Sequence, residues 1–268
     1  MCYSPFIKED AAAGCIYTLP CGKCPQCVND RINGWIFRLQ QELKHAKSAD
    51  FLTLTYDTGN IPINEHTQPT LVKKDIQDFM KRLRKKHSQK LIYFACGEYG
   101  ERAQRPHYHM ILFNARQDLI QPAWGLGNIH YGTVTPNSIA YTLKYINKRS
   151  SVKPSDFRQK EFVLMSKYIG QHYLKEQNKL WHKADLTQRM YLPLEDGKKV
   201  AMPRYYKNKI YDEDERIIIA RESNIRQSLE IEKITNSPDF EKIERDKQQA
   251  ILAAFKRQKY HSQKQDKL

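Results

Sequence analysis

The stretch LIYFACGEYGERAQRPHYHMILF, residues 91–113, limits what this chain can fold into more than any other. Two apolar runs, LIYFAC and HYHMILF, flank a polar turn that holds Gly97, Gly100 and Pro106. Runs this short, with turn residues between them, read as β-strands in an antiparallel hairpin. FLTLTY (51–56) alternates Phe51, Thr53, Thr55 with Leu52, Leu54, Tyr56, which predicts another strand with one apolar face. GNIHYGTV (127–134) reads as a fourth strand.

Helices fit between and around these strands. Ile32, Ile36, Leu39 and Leu43 recur at steps of three and four, so a helix is expected over about 29–47. Thr70 is placed to cap a helix reaching about His87, with Val72, Ile76, Phe79, Met80 and Leu83 as its buried stripe. TPNSIAYTLKYINKR (135–149) opens like a helix, with Thr or Asn as cap. The order βαββ(α)β predicts an α+β fold: a ferredoxin-like antiparallel sheet (βαββαβ) with helices on one face. Further on, 157–180 reads as helix with mixed aromatic and basic residues. A hairpin is expected around Asp196–Gly197 and a turn at Pro203-Arg-Tyr-Tyr. From about Glu213 the chain is helix-prone, with a break at Asn236–Pro238. The expected division is a Cys-rich, metal-knuckle-like segment at 1–28, a main domain at 29–211 and a charged helical C-terminal extension at 212–268.

Charge separates these parts. The formal net charge is +15, yet residues 212–268 hold 12 acidic and 12 basic side chains, so the whole excess lies before them. A basic folded part points to a polyanion, most simply nucleic acid. No run approaches about 20 apolar residues, and the start lacks a basic-then-apolar leader. A soluble, intracellular protein is the expectation, with no membrane partner.

His107 and His109 lie two apart on a predicted strand. They share a face about 6–7 Å apart, and Tyr108 points the other way. Such a pair can converge on one divalent ion, and hard-metal sites add a carboxylate. The hairpin would carry Glu98 beside His107; Glu101 lies nearer the turn tip and is the alternative.

AYTLKYINK sets Tyr141 and Tyr145 four apart on one helical face, with Lys144 and Lys148 each three residues after a tyrosine. Ile139, Leu143 and Ile146 can supply a separate apolar stripe. A phenol attacks phosphorus if its high pKa is offset. A metal on the phosphate oxygens and a nearby ammonium are the usual means.

In this order, FLTLTY, GEYG…RPHYHMILF and YTLKYINK resemble the HUH (His-hydrophobic-His) superfamily of rolling-circle replication initiators. They are most similar to those of the Microviridae, the small single-stranded DNA phages, in their gokushovirus-like branch. CGKCPQC followed by a basic helix, and MPRYYKNKIY, match that group too. The resemblance covers roughly Cys2–Tyr211 and departs from it in having tyrosine between the histidines.

The resemblance implies that His107 and His109, with Glu98, bind Mg²⁺ or Mn²⁺. It implies that Tyr141 and Tyr145 attack the scissile phosphate of single-stranded origin DNA, which leaves a 5′-phosphotyrosine and a free 3′-OH that primes the host DNA polymerase. The second tyrosine cuts the regenerated origin, and the ends are rejoined. Lys144 and Lys148 would orient DNA or manage the tyrosine proton; which tyrosine acts first stays open. The chain has no G-x-x-x-x-G-K-[ST] loop. Strand separation therefore falls to a host helicase, in the cytoplasm of the bacterial host cell.

Cys21-x-x-Cys24-x-x-Cys27 has metal-ligand spacing, and five of the six cysteines lie in the first 27 residues. A structural Zn²⁺ wants four ligands. The family carries a cysteine near its start, which points to Cys2, with Cys15 as rival. An iron–sulfur cluster would want a later Cys-Pro that is missing here. Cys96 reads as buried in a strand.

Cationic edges for DNA are offered by Lys81, Arg82, Arg84, Lys85 and Lys86, by Arg102 and Arg105, and by Arg204, Tyr205, Tyr206 and Lys207. Two other functions fit parts of this pattern. One is a related plasmid initiator or single-tyrosine transposase. The other is a zinc-stabilised DNA-binding protein without chemistry.

Overall fold

The computed structural model describes residues 2–10, 14–100, 103–143, 146, 152, 155–194 and 197–265, the side chains of Cys15 and of 261–265 excepted. The chain forms two compact units, residues 1–37 with 173–267, and residues 38–172.

The first unit opens with a hairpin, β1 (Phe6–Asp10) against β2 (Cys15–Leu19), registered from Phe6 opposite Leu19 to Asp10 opposite Cys15. The sequence suggests only loop here. Phe6, Ile7 and Ile16 stay largely exposed, so no buried periodicity marks these strands. Helix α1 (Pro25–Leu43) follows, with proline in its first turn, where the missing N–H costs nothing. Gly34 meets Pro203 so closely that an added Cβ would lie 2.8 Å from the proline Cγ.

The second unit is a five-stranded antiparallel sheet in the order β6-β3-β5-β4-β7. Its strands are β3 (Ala49–Thr55), β4 (Ile92–Tyr99), β5 (Pro106–Phe113), β6 (Ile129–Thr133) and β7 (Phe162–Met165). The hairpin read from 91–113 is β4–β5, with Ile92 opposite Phe113 and Tyr99 opposite Pro106.

Alternation sorts each strand. Leu52, Leu54, Tyr93, Ala95, Tyr108, Met110 and Leu112 share one face and one core with helix α2 (Lys73–Lys85) and the short α3 (Ile120–Trp124). The α2 stripe Ile76, Phe79, Met80 and Leu83 is fully buried. Burial of each such side chain is worth about 1.5–3 kcal/mol. The predicted cap is not used: α2 begins after Val72, and Thr70 Oγ1 instead accepts the Gln159 N–H at 2.9 Å.

Gly127, before β6, lies so near the Thr55 carbonyl that a Cβ there would collide with it. The other sheet face carries Thr53, His107, His109, Cys96 and Glu98. Helix α4 (Pro136–Leu143) lies against it, since Tyr141 reaches His109 and Phe51. Helices thus cover both faces, not one, because the strands on this side bury Phe94, Ile111 and Phe113 as well. Cys96 is fully buried.

The segment 157–180, expected to be helical, instead holds β7 and the start of α5 (Glu176–Lys183). A four-residue apolar run such as FVLM serves an edge strand as well as a helix turn. The first unit resumes with α5 and a hairpin of β8 (Tyr191–Pro193) and β9 (Lys199–Ala201), whose tip residues 195 and 196 lie outside the described part. The expected Pro-Arg-Tyr-Tyr turn is instead α6 (Arg204–Ile210), with Pro203 as its N-cap residue. Tyr206 and Ile210, four apart, bury against Phe37, Leu192, Val200 and Met202. Helix α7 (Glu213–Thr235) starts at a capping box between Asp212 and Glu215, and α8 (Phe240–Gln265) follows the break at Asn236. No helix among the described residues is long and apolar enough to cross a membrane.

Candidate functional site

The β4–β5 register sets Glu98 directly opposite His107, and Cys96 opposite His109. Both histidines therefore project from the face that carries Glu98. Glu98 Oε1 lies 2.8 Å from His107 Nε2 and 2.6 Å from His109 Nε2. The three ligand atoms lie within 4.8 Å of one another. Glu98 and His109 are each only 7% exposed.

Both remote ring nitrogens are engaged. His107 Nδ1 lies 3.1 Å from the Arg105 carbonyl, an acceptor only, so it donates there. His109 Nδ1 pairs with Thr53 Oγ1 at 3.0 Å. Such partners fix the ring orientation and aim Nε2 at a metal. Phe51 stacks parallel to the His109 ring at 5.8 Å. Burial alone would raise the Glu98 pKa, but the hydrogen bonds from His107 and His109 outweigh it and hold the carboxyl down at about 2. A carboxylate ionised at neutral pH beside two imidazoles is a donor set that fits a hard or borderline divalent cation.

Tyr108 points away, into the α2 core. It is fully buried, and its hydroxyl accepts the Val72 N–H at 2.9 Å and meets Tyr56 Oη at 2.7 Å.

Helix α4 brings Tyr141 to this face. Thr135 and Ser138 cap it reciprocally: Ser138 Oγ accepts the Thr135 N–H at 2.7 Å, and Thr135 Oγ1 accepts the Ser138 N–H at 3.2 Å. Ile139 and Leu143 are buried, which turns Tyr141 to the sheet's open side, 39% exposed. Its hydroxyl lies 3.3 Å from Glu98 Oε1 and 3.4 Å from His109 Nε2. Glu98, His107, His109 and Tyr141 are thus gathered at one point. Tyr145, Lys144, Lys148, Glu101 and Arg102 lie outside the described residues. Phe51 and Thr53 were not singled out from sequence, although their alternation in FLTLTY put them on the histidine face.

Cys2, Cys21, Cys24 and Cys27 form a second cluster, their sulfurs within 4.8 Å of one another. Cys21 Sγ and Cys27 Sγ are 4.0 Å apart, and Cys24 Sγ and Cys2 Sγ 3.9 Å. Four sulfurs about 2.3 Å from a tetrahedral zinc would be about 3.8 Å apart, so the set fits that ion. Backbone N–H groups of Lys23 and Cys24 point at Cys21 Sγ and bring its thiol down to about 6, while burial pushes Cys27 up to about 12. The side chain of Cys15 is outside the described part.

The basic residues divide. Arg82 is committed to α3, donating to Ala123 O at 2.7 Å and Trp124 O at 3.1 Å. Arg84 lies over the Tyr93 ring, and Lys85 is exposed. Arg105 is exposed and donates to Tyr56 O at 2.8 Å. Lys81 and Lys86 are exposed on α2 and its C-cap. In α6, Arg204 is exposed while Tyr206 is packed in the core.

Comparison with known proteins points one way. Residues 49–150, which contain Glu98, both histidines and Tyr141, match the family model of replication-associated protein ORF2. The chain is 30% identical over 217 residues to replication-associated protein ORF2 of Spiroplasma virus 4, covering 70% of this chain and 66% of that protein. Replication-associated protein VP4 of Bdellovibrio phage phiMH2K is 27% identical, covering 72% and 67%. Replication-associated protein ORF4 of Chlamydia phage 1 is 26% identical, covering 74% and 55%. The chain thus spans between just over half and about two thirds of these relatives. No solved structure matches it. With the motifs of 49–150 and these phage relatives in agreement, the chain belongs to the family of the phage replication-associated protein ORF2.

Proposed function

We propose that this protein initiates phage DNA replication by nicking single-stranded origin DNA, with Tyr141 as nucleophile. The observation that carries the reading is the Tyr141 hydroxyl, 3.3 Å from Glu98 Oε1 and 3.4 Å from His109 Nε2. A phenol has little other reason to sit half-exposed above a buried carboxylate and two imidazoles. His107, His109 and Glu98 would hold Mg²⁺ or Mn²⁺, whose Lewis acidity withdraws charge from the scissile phosphate. The Tyr141 oxygen attacks phosphorus, the bond to the 3′ oxygen breaks, and the DNA is left 5′-linked to the tyrosine with a free 3′-OH. Glu98 Oε1, the acceptor nearest the phenol, orients its proton. Tyr145 would serve as the second nucleophile that lets ends be rejoined, with Lys144 and Lys148 near the phosphate charge.

The nicking machinery belongs to the sheet unit, which we read as ferredoxin-like, inside the wider 29–211 segment. Cys2, Cys21, Cys24 and Cys27 would hold a structural Zn²⁺ in the 1–28 knuckle, and 212–268 is a helical extension. Arg84, Lys85 and Arg105 would meet the DNA backbone. Arg82 serves α3 instead. A host helicase and a host DNA polymerase would complete the cycle in the bacterial cytoplasm.

The test is cleavage of an origin single strand with Mn²⁺ by the wild type, Tyr141→Phe and Tyr145→Phe. Loss of first-strand cleavage only in Tyr141→Phe supports the assignment. Full cleavage by Tyr141→Phe removes it.

A further inference from the structure

The first unit carries a row of alternating cations and rings that the nicking site does not use. The β8–β9 alternation creates part of it. Leu192 and Val200 turn inward, 0% and 9% exposed, so Tyr191 and Lys199 face outward on the other side of the hairpin. They are diagonal neighbours, and Lys199 Nζ lies 4.5 Å from the Tyr191 ring centre. Trp181 of α5 meets the same ring edge-on at 5.8 Å, and the Arg189 guanidinium lies 5.0 Å from the Trp181 ring centre. The order is Arg189, Trp181, Tyr191, Lys199: four residues from a helix, a loop and two strands.

A buried scaffold holds the row in place. His182, fully buried next to Trp181, lies 2.6 Å from the Arg189 carbonyl through Nδ1 and 2.9 Å from Tyr173 Oη through Nε2. Arg189 also donates to the Trp181 carbonyl at 3.1 Å. The loop that brings the guanidinium over the indole is therefore tied down from inside, while Trp181 itself stays 38% exposed. Among the described residues neither Arg189 nor Lys199 has a carboxylate within ion-pair distance.

Ring faces and cations in one fixed row suit a ligand that offers flat apolar groups and negative charges in alternation. Single-stranded nucleic acid does so, whereas a duplex hides its base faces in its own stack. We propose that Arg189, Trp181, Tyr191 and Lys199 form a sequence-independent contact surface for single-stranded DNA, in the unit that lacks the nicking site. The proposal rests on the reading that single-stranded DNA is the substrate.

The experiment measures binding of fluorescein-labelled oligothymidine, which lacks an origin, to the full chain without added Mn²⁺. Trp181→Leu is expected to weaken binding roughly 5- to 100-fold, and Trp181→Tyr to keep most of it. Arg189→Ala and Lys199→Ala are each expected to flatten the dependence of log affinity on log salt by about 0.7. If Trp181→Leu does not fold, these two exposed-cation variants carry the test. Unchanged affinity and unchanged salt slope in the variants overturn the proposal. So does a loss confined to binding of another protein.

Covalent adduct formation on origin DNA separates the two readings. Adduct in the wild type with no effect of the ladder variants on binding sinks the ladder alone. No adduct, but ladder-dependent binding, sinks the nicking reading alone.

Discussion

The Tyr141 hydroxyl stands 3.3 Å from Glu98 Oε1, although the two residues are 43 positions apart and come from a helix and a strand. The β4–β5 register brings Glu98 beside His107, and the α4 cap and its buried stripe bring Tyr141 over both. The metal ligands and the nucleophile are thus positioned by separate elements, which makes their contributions separable by mutation.

Thr53 is the first such lever. Its Oγ1 holds His109 Nδ1 at 3.0 Å and touches nothing else in the cluster. Thr53→Val keeps the shape of the strand but removes this partner. Mn²⁺ affinity measured by calorimetry should fall about 10- to 100-fold. Unchanged affinity would mean that the ring is oriented by packing alone.

Tyr108 gives the opposite pattern, because it faces the other side of the sheet. Tyr108→Phe strands the Val72 N–H, to which the phenol oxygen lies 2.9 Å away. Urea unfolding should show a loss of about 1–3 kcal/mol. Mn²⁺ affinity should stay as in the wild type.

Cys21 and Cys27 should react very differently in metal-free protein. Backbone N–H bonds from Lys23 and Cys24 bring the Cys21 thiol to about 6, so it is thiolate at neutral pH, while burial holds Cys27 near 12. Iodoacetamide followed by peptide mapping should mark Cys21 first. The rate should drop as pH falls through about 6, and Zn²⁺ should protect both. Equal labelling of the two would contradict this ordering.

His182 should make the first unit acid-sensitive. Burial lowers its pKa below the ordinary 6.5, so the folded protein keeps the ring neutral where the unfolded chain protonates it. The unfolded state then binds more protons, and stability falls as pH drops below about 6.5. The stability difference between wild type and His182→Gln should be flat above that pH and shrink below it. A difference that is constant with pH would show that the ring is not held neutral.

Much of the sheet and of the site was legible in the sequence for a simple reason. In FLTLTY and HYHMILF the two-residue period is tied to burial, so the face of every side chain follows from its position. Glu98 could be placed because an antiparallel hairpin has only one register consistent with its turn. The β1–β2 hairpin was not legible, since Phe6, Ile7 and Ile16 remain exposed and leave no burial pattern. Helix α6 was hidden by Pro203, which reads as a turn but stands just before the first helical residue; the Tyr206–Ile210 pair carried the missed signal. Thr70 looked like a cap, yet its hydroxyl is engaged by Gln159, a partner 89 residues away that no local pattern announces.

The most direct measurement is to incubate the protein with Mn²⁺ and a single strand carrying the phage origin, isolate any covalent protein–DNA adduct, and map the linked residue by mass spectrometry. The account predicts a phosphotyrosine at Tyr141, dependent on Mn²⁺ and lost in His107→Ala/His109→Ala. An adduct on any residue outside the Tyr141–Tyr145 pair, or one that forms equally well without the histidines, would contradict it.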